Sequence, residues 1–197
     1  MRVNSPRAQN PTSVSPDGRK LIFFEVGVGE AGTWLMQLTL DGTRQVTALV
    51  KTPFVTRNGE VSPDGRWLAY EANDSGRYEI YVRPYPNVND GHWPVSTGGG
   101  TRPLWARNSQ ELFYLAPDGA LMRSSVEGGT TWKATAPTKL FDGHYFAPGG
   151  NPGRTYDITP DGQRFLMVKE VDESGASQSL VVVQHFEEEL KRLVPMK

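Results

Sequence analysis

Short apolar runs, each opened by a turn-forming tetrapeptide and closed by polar residues, recur along the whole chain. Four of them align without a gap: "VSPDGRKLIFFEV" from Val14, "VSPDGRWLAYEAN" from Val61, "WARNSQELFYLAP" from Trp105 and "ITPDGQRFLMVKE" from Ile158. The turn position is held by Asp17, Asp64, Asn108 and Asp161, at spacings of 47, 44 and 53 residues. Ser-Pro-Asp-Gly carries its own mechanism: Pro63 fixes φ, Asp64 accepts nearby backbone N–H groups, and Gly65 takes the positive φ that ends the turn. The following run reads as a strand buried on both faces. In the third copy Arg107, Asn108 and Ser109 replace Pro, Asp and Gly, so the sequence predicts a looser turn there with Asn108 in the left-handed region.

Each unit goes on to a further strand, "TWLMQLTLDG" (33–42), "YEIYVRPYPN" (78–87), "GALMRSSVEG" (119–128) and "QSLVVVQHFE" (178–187). Outer strands are expected at 44–49, 92–97 and 133–141. A period of about 40 to 50 residues with several strands per unit is the signature of propeller blades, which are stable only when stacked. The sequence therefore predicts an all-β, four-bladed β-propeller, or a four-blade portion of a larger one, as a single domain over 1–197. The blades fall at about 11–52, 58–100, 101–143 and 154–186. Val14, Val61, Trp105 and Ile158 share one slot on the innermost strands and are expected to be buried between blades. A short helix is expected over 187–195, from the stripe of Phe186, Leu190 and Leu193 and the i,i+4 pairs in "FEEELKRLVP". The fourth blade shows no outer strand, so residues 1–10 or another chain would have to supply it, and the open edge leaves room for a homo-oligomer.

Composition narrows the function. With 21 Lys and Arg against 22 Asp and Glu, and a net charge of -1, no basic field exists to draw in nucleic acid. The absence of cysteine excludes disulfides and thiolate metal sites. No signal peptide or membrane span is evident, so the chain as written is expected to be soluble and cytoplasmic.

The phrases "SPDGRWLAYEANDSGRYEIYVRPYP", "VSTGGGTRPLWARNSQELFYL" and "YDITPDGQRFLMVKE" resemble TolB-type, WD-repeat-like propeller repeats. More narrowly, the run from about Asn58 to "FEEELKRLVP" is similar to the propeller that follows the kinase domain in bacterial serine/threonine protein kinase homologues. That resemblance implies a ligand-binding or protein-interaction module, and places some related propellers outside the cytoplasmic membrane. No kinase part is carried over: the phosphate loop with its strand lysine, the His-Arg-Asp loop and the Asp-Phe-Gly motif are all missing from the sequence. "STGGGTRP" lacks the lysine of a phosphate-binding loop and reads as a connection between blades.

Candidate chemistry lies on the innermost strands, where alternation turns Ser13, Glu60, Leu104 and Asp157 toward the axis, with Arg57, Asn58, Arg102 and Arg154 nearby. Glu60 and Asp157 could serve as an acid and base pair in a hydrolase acting on a sugar or ester, or simply be neutralised by the arginines of a wet channel. The loop from Phe141 to Asp157 brings His144, Tyr145, Arg154 and Tyr156 as candidate ligand contacts. His92, His144 and His185 fall in different blades with no metal-ligand spacing, so no metal or cofactor is expected. "SVEGGTTW" (125–132) resembles a sialidase-type Asp box with Glu127 in the aspartate place, and is read as a structural turn. Tyr78, Tyr81, Tyr85 and Arg83 are read as packing rather than as a binding stripe. Since no complete catalytic set emerges, a non-catalytic module is the primary expectation and the hydrolase its alternative.

Overall fold

The repeated turn works through a hydroxyl as well as an aspartate. In the computed structural model, which describes residues 7–27, 32–143, 145, 153–168 and 180–183, Ser62 Oγ donates to Asp64 Oδ1 at 2.6 Å and accepts the Trp67 N–H at 3.0 Å. Asp64 Oδ1 accepts the Arg66 N–H at 3.1 Å, and Gly65, at φ 74°, closes the turn onto the Ser62 carbonyl at 2.8 Å. Ser15 with Asp17 and Thr159 with Asp161 repeat the same set. Hydrogen bonds from these hydroxyls, the largest influence on each group, hold the Asp17 and Asp161 carboxyls below their ordinary value.

The third turn departs from the expectation. Its backbone bond is kept, Ser109 N–H to the Ala106 carbonyl at 2.9 Å, and Asn108 Oδ1 still accepts the Gln110 N–H at 2.9 Å. Ser109 in the glycine position, not Asn108, takes the left-handed conformation at φ 61°. It is buried, and its Oγ accepts the Asp64 N–H at 3.0 Å, tying the hairpin tips of two successive units. The turn is braced rather than loose.

These hairpins build four antiparallel sheets. Blade 1 is β1 (Gln9–Val14), β2 (Lys20–Val26), β3 (Thr33–Thr39) and β4 (Val46–Val50); blade 2 is β5 (Thr56–Val61), β6 (Trp67–Ala72), β7 (Glu79–Pro84) and β8 (Trp93–Pro94). Blade 3 is β9 (Thr101–Trp105), β10 (Glu111–Leu115), β11 (Leu121–Ser125) and β12 (Thr138–Phe141). Among the described residues blade 4 has three strands, β13 (Tyr156–Ile158), β14 (Phe165–Val168) and β15 (Leu180–Val183). Gln9 and Asn10 pair with Glu25 and Phe24 inside blade 1, so they do not supply a strand to blade 4. The helix expected over 187–195 lies outside the described residues, and no helix among those residues is long and apolar enough to cross a membrane.

Strand alternation sorts the core into three layers, one between each pair of blades. Ile22 and Leu35 meet Val61 and Leu68 between blades 1 and 2. Trp67 and Ile80 meet Trp105, Leu112 and Trp132 between blades 2 and 3, where Trp67 and Trp132 pack edge to face at 5.2 Å. Phe113 and Leu115 meet Ile158, Phe165 and Met167 between blades 3 and 4. In β10 this means that Leu112 and Tyr114 serve one layer and Phe113 and Leu115 the next. Burying each such group is worth roughly 1.5 to 3 kcal/mol.

The equivalence of the four innermost apolar positions breaks at one end. Val61 is 6% exposed, but Val14 is 51% exposed, because its slot faces away from blade 2, on the free face of the first sheet. Leu166 and Val168, alternating with the buried Phe165 and Met167, are exposed on the free face of the fourth. The blades fan about an axis, and both terminal faces show apolar side chains. Replacement of Leu112 by Ala is expected to lower stability by about 2 to 5 kcal/mol. At Val14 the same change should cost less than about 0.5 kcal/mol, as at other surface positions. Chemical denaturation of the two variants beside the parent chain checks the contrast.

Candidate functional site

A distortion of the innermost strand recurs at one repeat position, and it shapes the channel mouth. The pairing of β1 with β2 shifts between Pro11 and Ser13, that of β5 with β6 between Arg57 and Glu60, and that of β9 with β10 between Leu104 and Thr101. At the aligned positions Asn58 and Arg102 the backbone is left-handed, with φ of 53° and 57°. Asparagine accepts this region readily, whereas for arginine it costs on the order of 1 kcal/mol and persists only where neighbours hold it.

Glu71 supplies that hold. It is 0% exposed, and its two oxygens accept the Arg102 backbone N–H at 2.6 Å and Arg57 Nε at 2.5 Å. Tyr156 OH donates to the Arg102 carbonyl at 2.7 Å, and Arg102 Nε donates to the Gly153 carbonyl at 3.0 Å. Arg57 also lies over the Tyr78 ring at 4.3 Å. Blades 2, 3 and 4 are thus stitched together around Arg102, through its backbone N–H and carbonyl as well as its side chain. Between blades 1 and 2 the stitch is the Gly59 carbonyl, which accepts Thr12 Oγ1 at 2.7 Å and Ser13 Oγ at 3.0 Å. A Cβ at Gly59 would come within 3.0 Å of Leu35 Cδ2, so this close approach depends on glycine.

Ser13, Glu60, Leu104 and Asp157 line one cavity of about 440 Å³. Alternation on the innermost strands does not turn a separate set to the axis as expected: Leu104 is buried in the layer between blades 3 and 4, and Ser13 and Glu60 reach across to the next blade, while Val61, Trp105 and Ile158 of the other set share the same cavity. A second cavity, of about 230 Å³, is lined by Asn58, Arg102 and Pro103 with Thr12, Glu60 and Arg154. Glu60 and Arg154 wall both, joined by an ion pair of 3.0 Å between Arg154 NH1 and Glu60 Oε1. Glu60 Oε2 also accepts the Trp105 N–H at 3.3 Å, while Asp157 Oδ1 accepts the N–H of Ile158 at 2.9 Å.

Burial pushes the Glu60 carboxyl up to about 7, against the pull of Arg154. Burial works against the Arg154 charge, yet Glu60, Asp157 and Tyr156 around it hold its pKa above the ordinary arginine value. Burial also lowers Arg102, opposed by Glu71 and reinforced by Arg57, and raises the Tyr156 hydroxyl well above its usual range. Asn58 is 9% exposed, and its amide nitrogen has no hydrogen-bond partner.

Of the residues singled out in the sequence, Glu60, Asn58, Arg102, Arg154 and Asp157 come together at the channel. Arg57 and Tyr156 stand behind them as supports through Glu71 and the Arg102 carbonyl. Tyr145 goes elsewhere: its ring packs edge to face on Phe141 at 5.8 Å, against the core between blades 3 and 4. Its aromatic ring gains more from that apolar layer than from a wet channel. His144 lies outside the described residues. Sequence reasoning missed Glu71, although a lone carboxylate within the apolar run "WLAYEA" was a visible signal of a buried partner. No group of three or more His, Asp or Glu side chains among the described residues is placed to hold a metal ion.

The other motifs are structural in place. Trp132 of "SVEGGTTW" is buried with Trp67 and Trp105, and Glu127 N–H bonds the Lys133 carbonyl at 2.9 Å across the turn. Tyr85 OH reaches Gln37 Oε1 of blade 1 at 3.0 Å, and Arg83 Nε donates to Tyr70 OH at 2.9 Å. The glycine-rich segment is clamped by the buried Glu79, which accepts the Gly99 N–H at 2.9 Å.

No family model and no curated protein matches this sequence. Among solved structures, TolB from Acinetobacter baumannii superposes with a TM-score of 0.69 at 14% identity, over 93% of this chain and 42% of its own. The fold is that of a TolB-like β-propeller. A puromycin-hydrolyzing peptidase from Mycobacterium tuberculosis matches with a TM-score of 0.65 at 18% identity, over 87% of this chain and 29% of its own. An auxiliary nutrient binding protein from Bacteroides thetaiotaomicron gives 0.55 at 14% identity, over 87% and 44%. The chain thus spans less than half the length of each of these solved structures, and at such identities the likeness speaks for the fold alone.

The position of Glu60 sets a pH dependence. Because its carboxyl keeps its proton to about 7 in the folded chain, against an ordinary 4.5, the folded state binds more protons than the unfolded between those values. Stability contributed at this site therefore falls as pH rises through that window. His92, held below its ordinary value chiefly by burial, acts in the opposite direction. Denaturation at pH 5 and pH 8 is expected to show Glu60→Gln gaining stability relative to the parent chain at the higher pH, and an unchanged difference between the two proteins would refute the assignment.

Proposed function

We propose that this chain is a non-catalytic binding module that receives a ligand at the mouth of its channel. The observation that carries this reading is the engagement of the candidate catalytic carboxylate: Glu60 is ion-paired with Arg154 through one oxygen and accepts the Trp105 N–H with the other, so both oxygens already have protein partners. Around it the arginines and Asn58 offer a few donors in a cavity also walled by Pro11, Phe24 and Pro103, the mixture of apolar wall and placed polar groups that a small-ligand site carries. The resemblance of the repeats to propellers that follow kinase domains supports a sensing or docking role of this kind.

One observation favours the alternative, a hydrolase acting on a sugar or ester. A carboxyl held at about 7 by burial, with Asp157 lining the same cavity, suits a general acid. The readings separate on a panel of chromogenic glycosides and esters, assayed with the parent chain and with a variant carrying Glu60→Ala and Asp157→Ala. No turnover above the variant's is expected, while a thermal-shift ligand screen should yield stabilising compounds whose effect is lost in Arg154→Ala. Turnover abolished in the double variant would establish the hydrolase instead.

Self-association is also part of this proposal, supported by the exposed Val14, Leu166 and Val168 on the terminal faces. Sedimentation velocity is expected to show concentration-dependent association that Leu166→Glu weakens. A strictly monomeric chain at high concentration would count against it.

A further inference from the structure

Asn58 and Gly59 form the only Asn-Gly step in the sequence. In an open chain such a step is chemically reactive, because glycine has no Cβ to keep its backbone nitrogen away from the preceding side-chain amide. The Gly59 nitrogen attacks Asn58 Cγ, and the new N–Cγ bond closes a succinimide ring. The Cγ–Nδ2 bond breaks, and the amide group leaves as ammonia with the proton given up by the glycine N–H. Water then adds to either ring carbonyl and opens the ring, leaving aspartate or isoaspartate at this position.

The fold keeps the pair off this path through the backbone. Asn58 is 9% exposed and left-handed, with φ of 53°. Its amide nitrogen has no hydrogen-bond partner, so no bond to the leaving group holds the side chain back. Ring closure needs a rotation about ψ of Asn58 that swings Gly59 toward the side chain. Gly59 is not free to swing. Its carbonyl accepts Thr12 Oγ1 at 2.7 Å and Ser13 Oγ at 3.0 Å from blade 1. Leu35 Cδ2 and Ile22 Cγ2 lie 3.0 and 3.2 Å from where a Cβ on this residue would stand. The reaction therefore waits for a local opening of β5 away from blade 1.

We propose that Asn58–Gly59 is a deamidation site which the joint between blades 1 and 2 keeps unreactive, and which reacts when that joint opens, making the opening permanent. Permanence follows from register. Arg57 pairs with Glu71 and Glu60 with Ala69, so two residues of β5, Asn58 and Gly59, oppose Tyr70 alone. An isoaspartyl link adds a backbone atom to this bulge. Arg57 then cannot stay on Glu71 at 2.5 Å while Glu60 stays on Arg154 at 3.0 Å. The aspartate product keeps the backbone length but puts a carboxylate at a buried position, in the cavity wall that Asn58 shares with Glu60. This chemistry is independent of whatever ligand the channel receives.

Peptide mass spectrometry with enzymatic labelling of isoaspartate would follow Asn58 at pH 8 in the folded chain, beside the same chain unfolded in guanidinium chloride at that pH. Modification is expected at least about tenfold more slowly in the folded chain. Thr12→Val combined with Ser13→Ala removes both hydroxyls from the Gly59 carbonyl. It should raise the folded-state rate about tenfold and leave the unfolded-state rate unchanged. Chain aged in denaturant until most of Asn58 is modified, then returned to native buffer, should unfold at a lower denaturant concentration than chain unfolded and refolded without ageing. If the double variant fails to fold, the comparison of folded with unfolded parent chain still decides. Equal rates in the two states, or a folded double variant that reacts no faster than the parent, would overturn the protection by the joint. Full recovery of stability by the modified chain would overturn the permanence.

Discussion

A sheet that is apolar on both faces cannot stand in water, and this constraint organises the molecule. All six residues of β6 are buried, with Leu68 and Tyr70 directed to blade 1 and Trp67 and Ala69 to blade 3. Blades 2 and 3 therefore each complete the core of two neighbours and blades 1 and 4 of one, and none has a core of its own. The polar channel follows from the same geometry. The innermost strands close around a cavity that both alternate sets line, Ser13, Glu60 and Asp157 beside Val61 and Ile158.

Crowding charges around an axis creates a second demand, that each buried ion be matched. Glu71 answers Arg57 and the Arg102 backbone, and Glu60 answers Arg154. The two answers differ in kind. Glu71, fully buried between two blades and bonded through both oxygens, is a fixed brace. Glu60 lies at the boundary of two cavities with a single arginine partner, in a setting where its charge is only partly favoured. These two carboxylates sit eleven residues apart on one hairpin, distinguished by what surrounds them.

The architecture was legible because turn chemistry and period-two burial are local and were written four times. One alignment of the repeats also brought Ser13, Glu60, Leu104 and Asp157 to equivalent positions, but not their surroundings, since Leu104 is buried in the layer between blades 3 and 4. What escaped the sequence was pairwise and non-local. Nothing in "WLAYEA" says that Glu71 reaches across to the backbone of the next blade, and nothing in the loop from Phe141 to Asp157 says that Tyr145 prefers the apolar layer beside Phe141 to the channel where Arg154 goes. The exposure of Val14 could not be read from its slot either, because burial there depends on a neighbouring face, not on the residue itself.

The third hairpin shows how an imperfect copy can serve a repeat architecture. A glycine at Ser109 would take the left-handed turn more easily but would carry no hydroxyl, and the Asp64 N–H would lose its acceptor in the adjacent tip. Divergence at this one site exchanged conformational ease for a joint. The arc formed by the second and third tips is consequently stiffer than identical copies would make it, so a load applied to one tip is felt by the other.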